Sequence, residues 1–200
     1  MASILKKYER ISRSPTRYRQ EASKAAKWFK DVVSKLPIKR RALLNDDRVK
    51  KRTVFLPGRM YAFIYDPKHK KTLPYYDRFP LAILVEPAEG GGFYGINLHY
   101  LAPKTRAQFL SALMENNITQ PGRELSDRTR FRITYSILKR AKRLKAFKPC
   151  FKHYLPDHVK GQMVEITGPD WETAIFLPVE HFAKSSKEKV WANSRRIIGV

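Results

Sequence analysis

Cys150, His153 and His158 are residues whose types and spacing suggest chemistry. A thiolate and two imidazoles are zinc donors, set here as Cys-x2-His-x4-His. A closed structural zinc takes four donors, usually with two or more cysteines. Pro156 would also break any helix that aligned the two imidazoles. The favoured reading is a buried thiol and two partly exposed imidazoles, with no metal and no cofactor.

Asp66, Asp77, Glu86 and Glu89 make a second set. Carboxylates gathered around one sheet could hold magnesium for phosphodiester cleavage. Their spacing matches no nuclease signature, and Asp66 and Asp77 fall in turns, where aspartate is favoured for its local backbone hydrogen bonds. Gly90-Gly91-Gly92 lacks the lysine and helix of a phosphate-cradling loop. No serine near a histidine has elbow or triad spacing. These residues therefore assign no catalytic group.

Charge is the stronger signal. The chain of 200 residues holds 41 Lys plus Arg against 18 Asp plus Glu, a net charge of +23. Such an excess marks a polyanionic partner, nucleic acid before an anionic membrane. Residues 1–52 are the most basic part, with 17 Lys or Arg against 5 Asp or Glu. Two runs there, Lys39-Arg40-Arg41 and Lys50-Lys51-Arg52, are candidate phosphate contacts, as are Lys139, Arg140, Lys142 and Arg143 in KRAKRLKAFK. Contacts of this kind are sequence-independent and weaken with salt. Cations also suit a helix C-terminus, which gives part of the second cluster a structural explanation.

The segment LPYYDRFP supplies Tyr75, Tyr76 and Phe79, stiffened between two prolines. Together with Trp28 they are candidate protein-interface anchors. Tyr75 and Phe79 could equally close the open end of a sheet, and the tyrosines could stack on unpaired bases.

The elements that must position these residues are legible as an α+β fold. Met60 to Tyr65 is rich in aromatic and β-branched residues between Pro57-Gly58 and Asp66-Pro67, which predicts a strand. Leu81 to Val85, fenced by Pro80 and Pro87, predicts a second strand, and Phe93 to Leu98 a third that returns after the three glycines. A long polar loop, Lys68 to Arg78, joins the first two. The aromatics on both faces predict a small, strongly bent antiparallel sheet or an SH3-like barrel. Around it, helices are expected over 103–117 and 126–147, with Ser126 as N-cap of the second, and a C-terminal strand and helix over 159–197. Residues 1–52 read as a basic N-terminal helical arm with one helix from Glu21, ended by Pro37, and 53–200 as the core domain. Asp170 is expected to cap a short helix from Trp171, and Ser185 or Ser186 a last helix from Lys187. No apolar run approaches the length of a transmembrane helix, and the N-terminus lacks the apolar block of a signal peptide. The single cysteine precludes an intramolecular disulfide and points to a reducing compartment.

The segments PGRMYAFIYDPKHKKTLPYYDRFPL, GGGFYGINLHYLAPKTRAQFLSAL, FKPCFKHYL and FLPVEHF, with KEKVW near the C-terminus, resemble small virion structural proteins of contractile-tailed, myovirus-type phages. The similarity runs from about Trp28 onward. It implies structural assembly rather than turnover: a protein of the packaged DNA end, the neck or the baseplate, docked on other virion subunits in a symmetric or ring-like assembly and contacting DNA. It implies a place in the virion after synthesis in the host bacterial cytoplasm, and carries over no catalytic residue and no membrane partner. Two other classes remain beside it: a metal-dependent nuclease using Asp66, Asp77 or Glu86, and a stand-alone RNA-binding module.

Overall fold

The computed structural model describes residues 4–34, 57–115, 147–167, 170–177 and 180–199. Among them run helices α1 (Ile4–Ser12) and α2 (Pro15–Ser34), strands β1 (Met60–Tyr65), β2 (Tyr76–Asp77), β3 (Leu81–Pro87) and β4 (Phe93–Asn97), and helix α3 (Pro103–Glu115). Strands β5 (Phe151–Tyr154) and β6 (Val159–Ile166), helix α4 (Trp171–Ala174), strand β7 (Phe182–Ala183) and helix α5 (Lys187–Ile198) complete the order. The expected helix over 126–147 lies outside the described residues, but for Phe147 at its end.

The class is α+β, as expected, but the sheet is not a barrel. Among the described residues β5-β4-β3-β1-β6 form one antiparallel sheet and β2-β7 a separate ribbon. Closure would need β5 to pair with β6. Instead the 3-10 turn Pro156–His158 carries the chain from one edge of the sheet to the other, where the Asp66 amide donates to His158 O at 3.0 Å. Irregular register between Ala62 and Ile64, and between Leu84 and Glu86, bends the sheet without closing it.

Alternation along the strands makes two cores. Met60, Ala62, Leu81, Ile83 and Ile96 face the helices, with Leu110 and Leu113 of α3 and Val190 of α5. Tyr61, Phe63, Tyr65, Phe93 and Tyr154 fill the other face. There the Phe63 and Tyr154 rings meet edge to face at 5.2 Å, and Phe93 and Tyr154 stack at 5.4 Å. Pro103 opens α3 at a position that needs no donor. Ser186 caps α5 by accepting from the Lys189 amide at 3.4 Å, and Gly199 ends the helix in the left-handed region. Asp170 precedes α4 without a capping bond of its own, its carboxylate accepting from the Thr167 hydroxyl at 2.8 Å.

Residues 4–34 carry two helices rather than the one expected, and both rest on the core. Ile4 and Ile11, two turns apart, are buried, and the Leu5 amide donates to Ser111 Oγ of α3 at 2.6 Å. Tyr8 stacks on Phe176 at 6.0 Å, Tyr18 meets Phe176 edge-on at 5.8 Å, and Phe29 meets Phe79 at 5.8 Å. Lys7 pairs with Glu172 at 2.6 Å. An apolar stripe under a cationic surface makes these helices part of the packed fold. At Gly92 the backbone is left-handed, and a Cβ there would stand 2.2 Å from Tyr154 O. Only glycine lets the β3–β4 turn lie this close to β5.

Candidate nucleic-acid interface

The ten cations singled out from the sequence, Lys39, Arg40, Arg41, Lys50, Lys51, Arg52, Lys139, Arg140, Lys142 and Arg143, lie outside the described residues. A different set is displayed on α1, α2 and the turn between them. Arg10, Arg13, Arg17 and Arg19 are exposed, and no ion pair engages them among the described residues. The helices turn Ile4, Ile11 and Ala25 inward, so the long basic side chains point to solvent. The basicity of residues 1–52 signals this face, but its arginines are scattered singly along the helices and form no run as KRR and RVKKR do.

The candidate acids are not gathered. Asp66 lies at the surface, both carboxylate oxygens taking hydrogen bonds from Lys70 Nζ at 2.9 Å. That lysine contact holds its carboxyl below the ordinary range. Asp77 is buried. Its Oδ1 accepts from the Phe79 amide at 3.0 Å, and its Oδ2 from Asn97 Nδ2 at 3.0 Å and His99 Nδ1 at 2.8 Å. Asn97 Oδ1 in turn accepts from the His99 amide. Glu86 is half-buried and Glu89 exposed on the β3–β4 turn side. Among the described residues no three His, Cys, Asp or Glu side chains stand together as metal donors. The zinc trio is likewise spread over separate carbonyls. Cys150 Sγ donates to Phe147 O, His153 Nε2 lies 2.8 Å from Gly91 O, and His158 Nδ1 2.7 Å from Asp66 O. Burial pushes the Cys150 thiol up to about 12, which keeps it protonated and inert.

The tyrosine segment is zipped into the fold. Tyr76 and Asp77 pair with Ala183 and Phe182, and the Arg78 amide donates to His181 O at 2.8 Å. Lys184 reaches back to the Lys71 and Leu73 carbonyls at 2.8 and 3.0 Å. Tyr75 lies against Tyr100 and Phe182, and its hydroxyl accepts from Asn193 Nδ2 at 2.6 Å. Phe79 packs on Phe29, and half-buried Trp28 flanks that pair.

This zipping leaves a cleft of about 410 Å³ between the Tyr65–Leu73 loop, β2 and β5. Tyr65, Tyr75, Tyr76, Tyr100 and Tyr154 line it, and Lys152 enters from β5. Lys152 Nζ lies 4.0 Å from the centre of the Tyr100 ring, a cation–π contact. Burial brings the ammonium down to about 8. Exposed Lys68, His69 and His153 stand at the rim. The one carboxylate in the lining is Asp77, already engaged by three donors. Sequence reading missed Lys152 because a lone lysine among aromatics carries no pattern; only the pairing of β4 with β5 turns it toward Tyr100.

No curated protein and no solved structure matches the chain. The family model described as phage T4 terminal DNA protecting protein matches residues 5–197, which includes the N-terminal helices that the resemblance from Trp28 onward left out. Of the three placements that resemblance implied, the DNA end is the one this description names. The chain belongs to the phage T4 terminal DNA protecting protein family.

Proposed function

We propose that this protein covers the ends of linear phage DNA and shields them without turning over a bond, and that it does so inside the phage particle, docked on other virion subunits. The family match over residues 5–197 carries the reading. The net charge of +23 supports a polyanionic partner. Exposed Arg10, Arg13, Arg17 and Arg19 supply a cationic face for the phosphate backbone, and the runs Lys39–Arg41, Lys50–Arg52 and Lys139–Arg143 are assigned to the same work. The patch of Trp28, Phe29 and Phe79 is assigned to a neighbouring virion subunit, since half-exposed aromatics anchor interfaces. Synthesis in the bacterial cytoplasm, assembly into a contractile-tailed particle and a symmetric, ring-like arrangement complete the proposal.

Two experiments test it. Log affinity for linear duplex should fall with log salt, each neutralised phosphate adding about 0.9 to the slope. Replacing the four arginines with glutamine should flatten that slope by about 2 to 4, and a wild-type slope near zero contradicts backbone binding. Mass spectrometry of purified particles should find the protein at fixed copy number; its absence removes the virion assignment.

A further inference from the structure

We propose that the tyrosine cleft receives one nucleotide of an unpaired DNA end, with the base against the tyrosine rings and the phosphate on the Lys152 ammonium. The inference rests on the DNA-end reading and assigns that reading a specific pocket. Three observations carry it.

The cleft holds about 410 Å³, within the range of small-ligand sites, and five tyrosines stand among its walls. Every base has a π-face, so tyrosine walls accept any of them without reading sequence. Lys152 is sunk in the cleft with no carboxylate partner among the described residues, its ammonium resting on the Tyr100 ring. Half-buried and held by a ring rather than a carboxylate, this cation keeps its charge open to an anionic occupant of the cleft. Lys68 and His69 at the rim keep the mouth cationic. A planar aromatic group carrying a phosphate fits this combination, and an end offers such a group free of pairing.

The test uses the full chain with two DNA probes of equal length. One is a linear duplex with short single-stranded, phosphorylated overhangs; the other is the same duplex closed at both ends by hairpin loops. The wild type should prefer the open probe by about tenfold, equivalent to about 1.4 kcal/mol. Lys152→Met should abolish the preference while leaving affinity for the closed probe unchanged. Tyr76→Ala, at the half-exposed edge of the cleft, should reduce it without touching the ammonium. Moving the phosphate between the 5′ and 3′ ends identifies which terminus enters, the preference surviving for one of them. A preference retained by both variants overturns the cleft assignment and leaves the protective function standing. Wild-type protein that binds neither probe overturns both.

Discussion

His99 Nδ1 lies 2.8 Å from Asp77 Oδ2, with both side chains sealed from solvent. That contact joins the tyrosine segment to the 3-10 turn Leu98–Tyr100 that follows β4, and it is shared with Asn97. A paired aspartate and histidine could orient a nucleophile, but this carboxylate is fully used in holding Phe79, Asn97 and His99 in place.

Asp77→Ala therefore acts on the fold. It strips acceptors from three donors, and a buried donor left unsatisfied costs about 1 to 3 kcal/mol. A loss of at least about 3 kcal/mol is expected, read from the midpoint of chemical denaturation. Asp77→Asn should lose less, since it keeps one acceptor oxygen. An unchanged midpoint in both variants contradicts the structural role.

Arg106 is fully buried, with Nε donating to Leu98 O at 3.1 Å and Nη2 to Glu180 Oε1 at 2.9 Å. Burial works to raise the Glu180 carboxyl, but Arg106 and then His99 outweigh it and hold it below the ordinary range. A lowered carboxyl stabilises the fold above its unfolded value, and that stability is lost as pH falls through the folded value. Acid unfolding below about pH 4.5 should thus depend on Glu180. Glu180→Ala strands a buried cation and should cost about 3 to 5 kcal/mol at pH 7, checked by denaturation across the acid range.

Lys152 gives the opposite sign. Its ammonium is lowered from 10.5 to about 8 by burial, so between those values the unfolded chain holds a proton that the folded chain has shed. Stability from this group is therefore lowest below pH 8 and recovers as pH rises toward 10.5. The facing groups are the Cys150 thiol, Tyr100, Asp77 and, at the rim, Lys68, His69 and His153. Lys152→Met should be more stable than wild type at pH 7 by up to about 3 kcal/mol, the gap closing by about pH 10. Thermal melts of both chains over that range check it. A variant less stable than wild type at pH 7 would show that the cation supports the fold.

The parts of this fold visible in the sequence are those with a local cause. Met60–Tyr65 and Leu81–Val85 announce themselves by composition between proline stops, Pro103 and Ser186 by their place at helix starts. What stayed hidden depends on long-range pairing. Phe151–Tyr154 is too short to show alternation, and it becomes an edge strand only against β4. The Tyr76–Asp77 ribbon needs Phe182–Ala183, more than a hundred residues away. Helix α1 was masked by its charges, its burial resting on Ile4 and Ile11. Of the two expected forms the bent open sheet is the one present; aromatic rings on both faces suit it as well as a closed barrel, so the sequence leaves both open. The cleft was half legible: the tyrosines stood out, but the lysine that gives them an electrostatic purpose did not.

Protection of DNA ends is open to direct measurement. Linear duplex incubated with the purified protein and then with an end-directed exonuclease should remain full length at protein concentrations near one or two copies per end. Circular DNA of the same sequence should not compete when added in equal mass. Degradation at the rate of naked DNA, or protection that circular DNA abolishes, would contradict it.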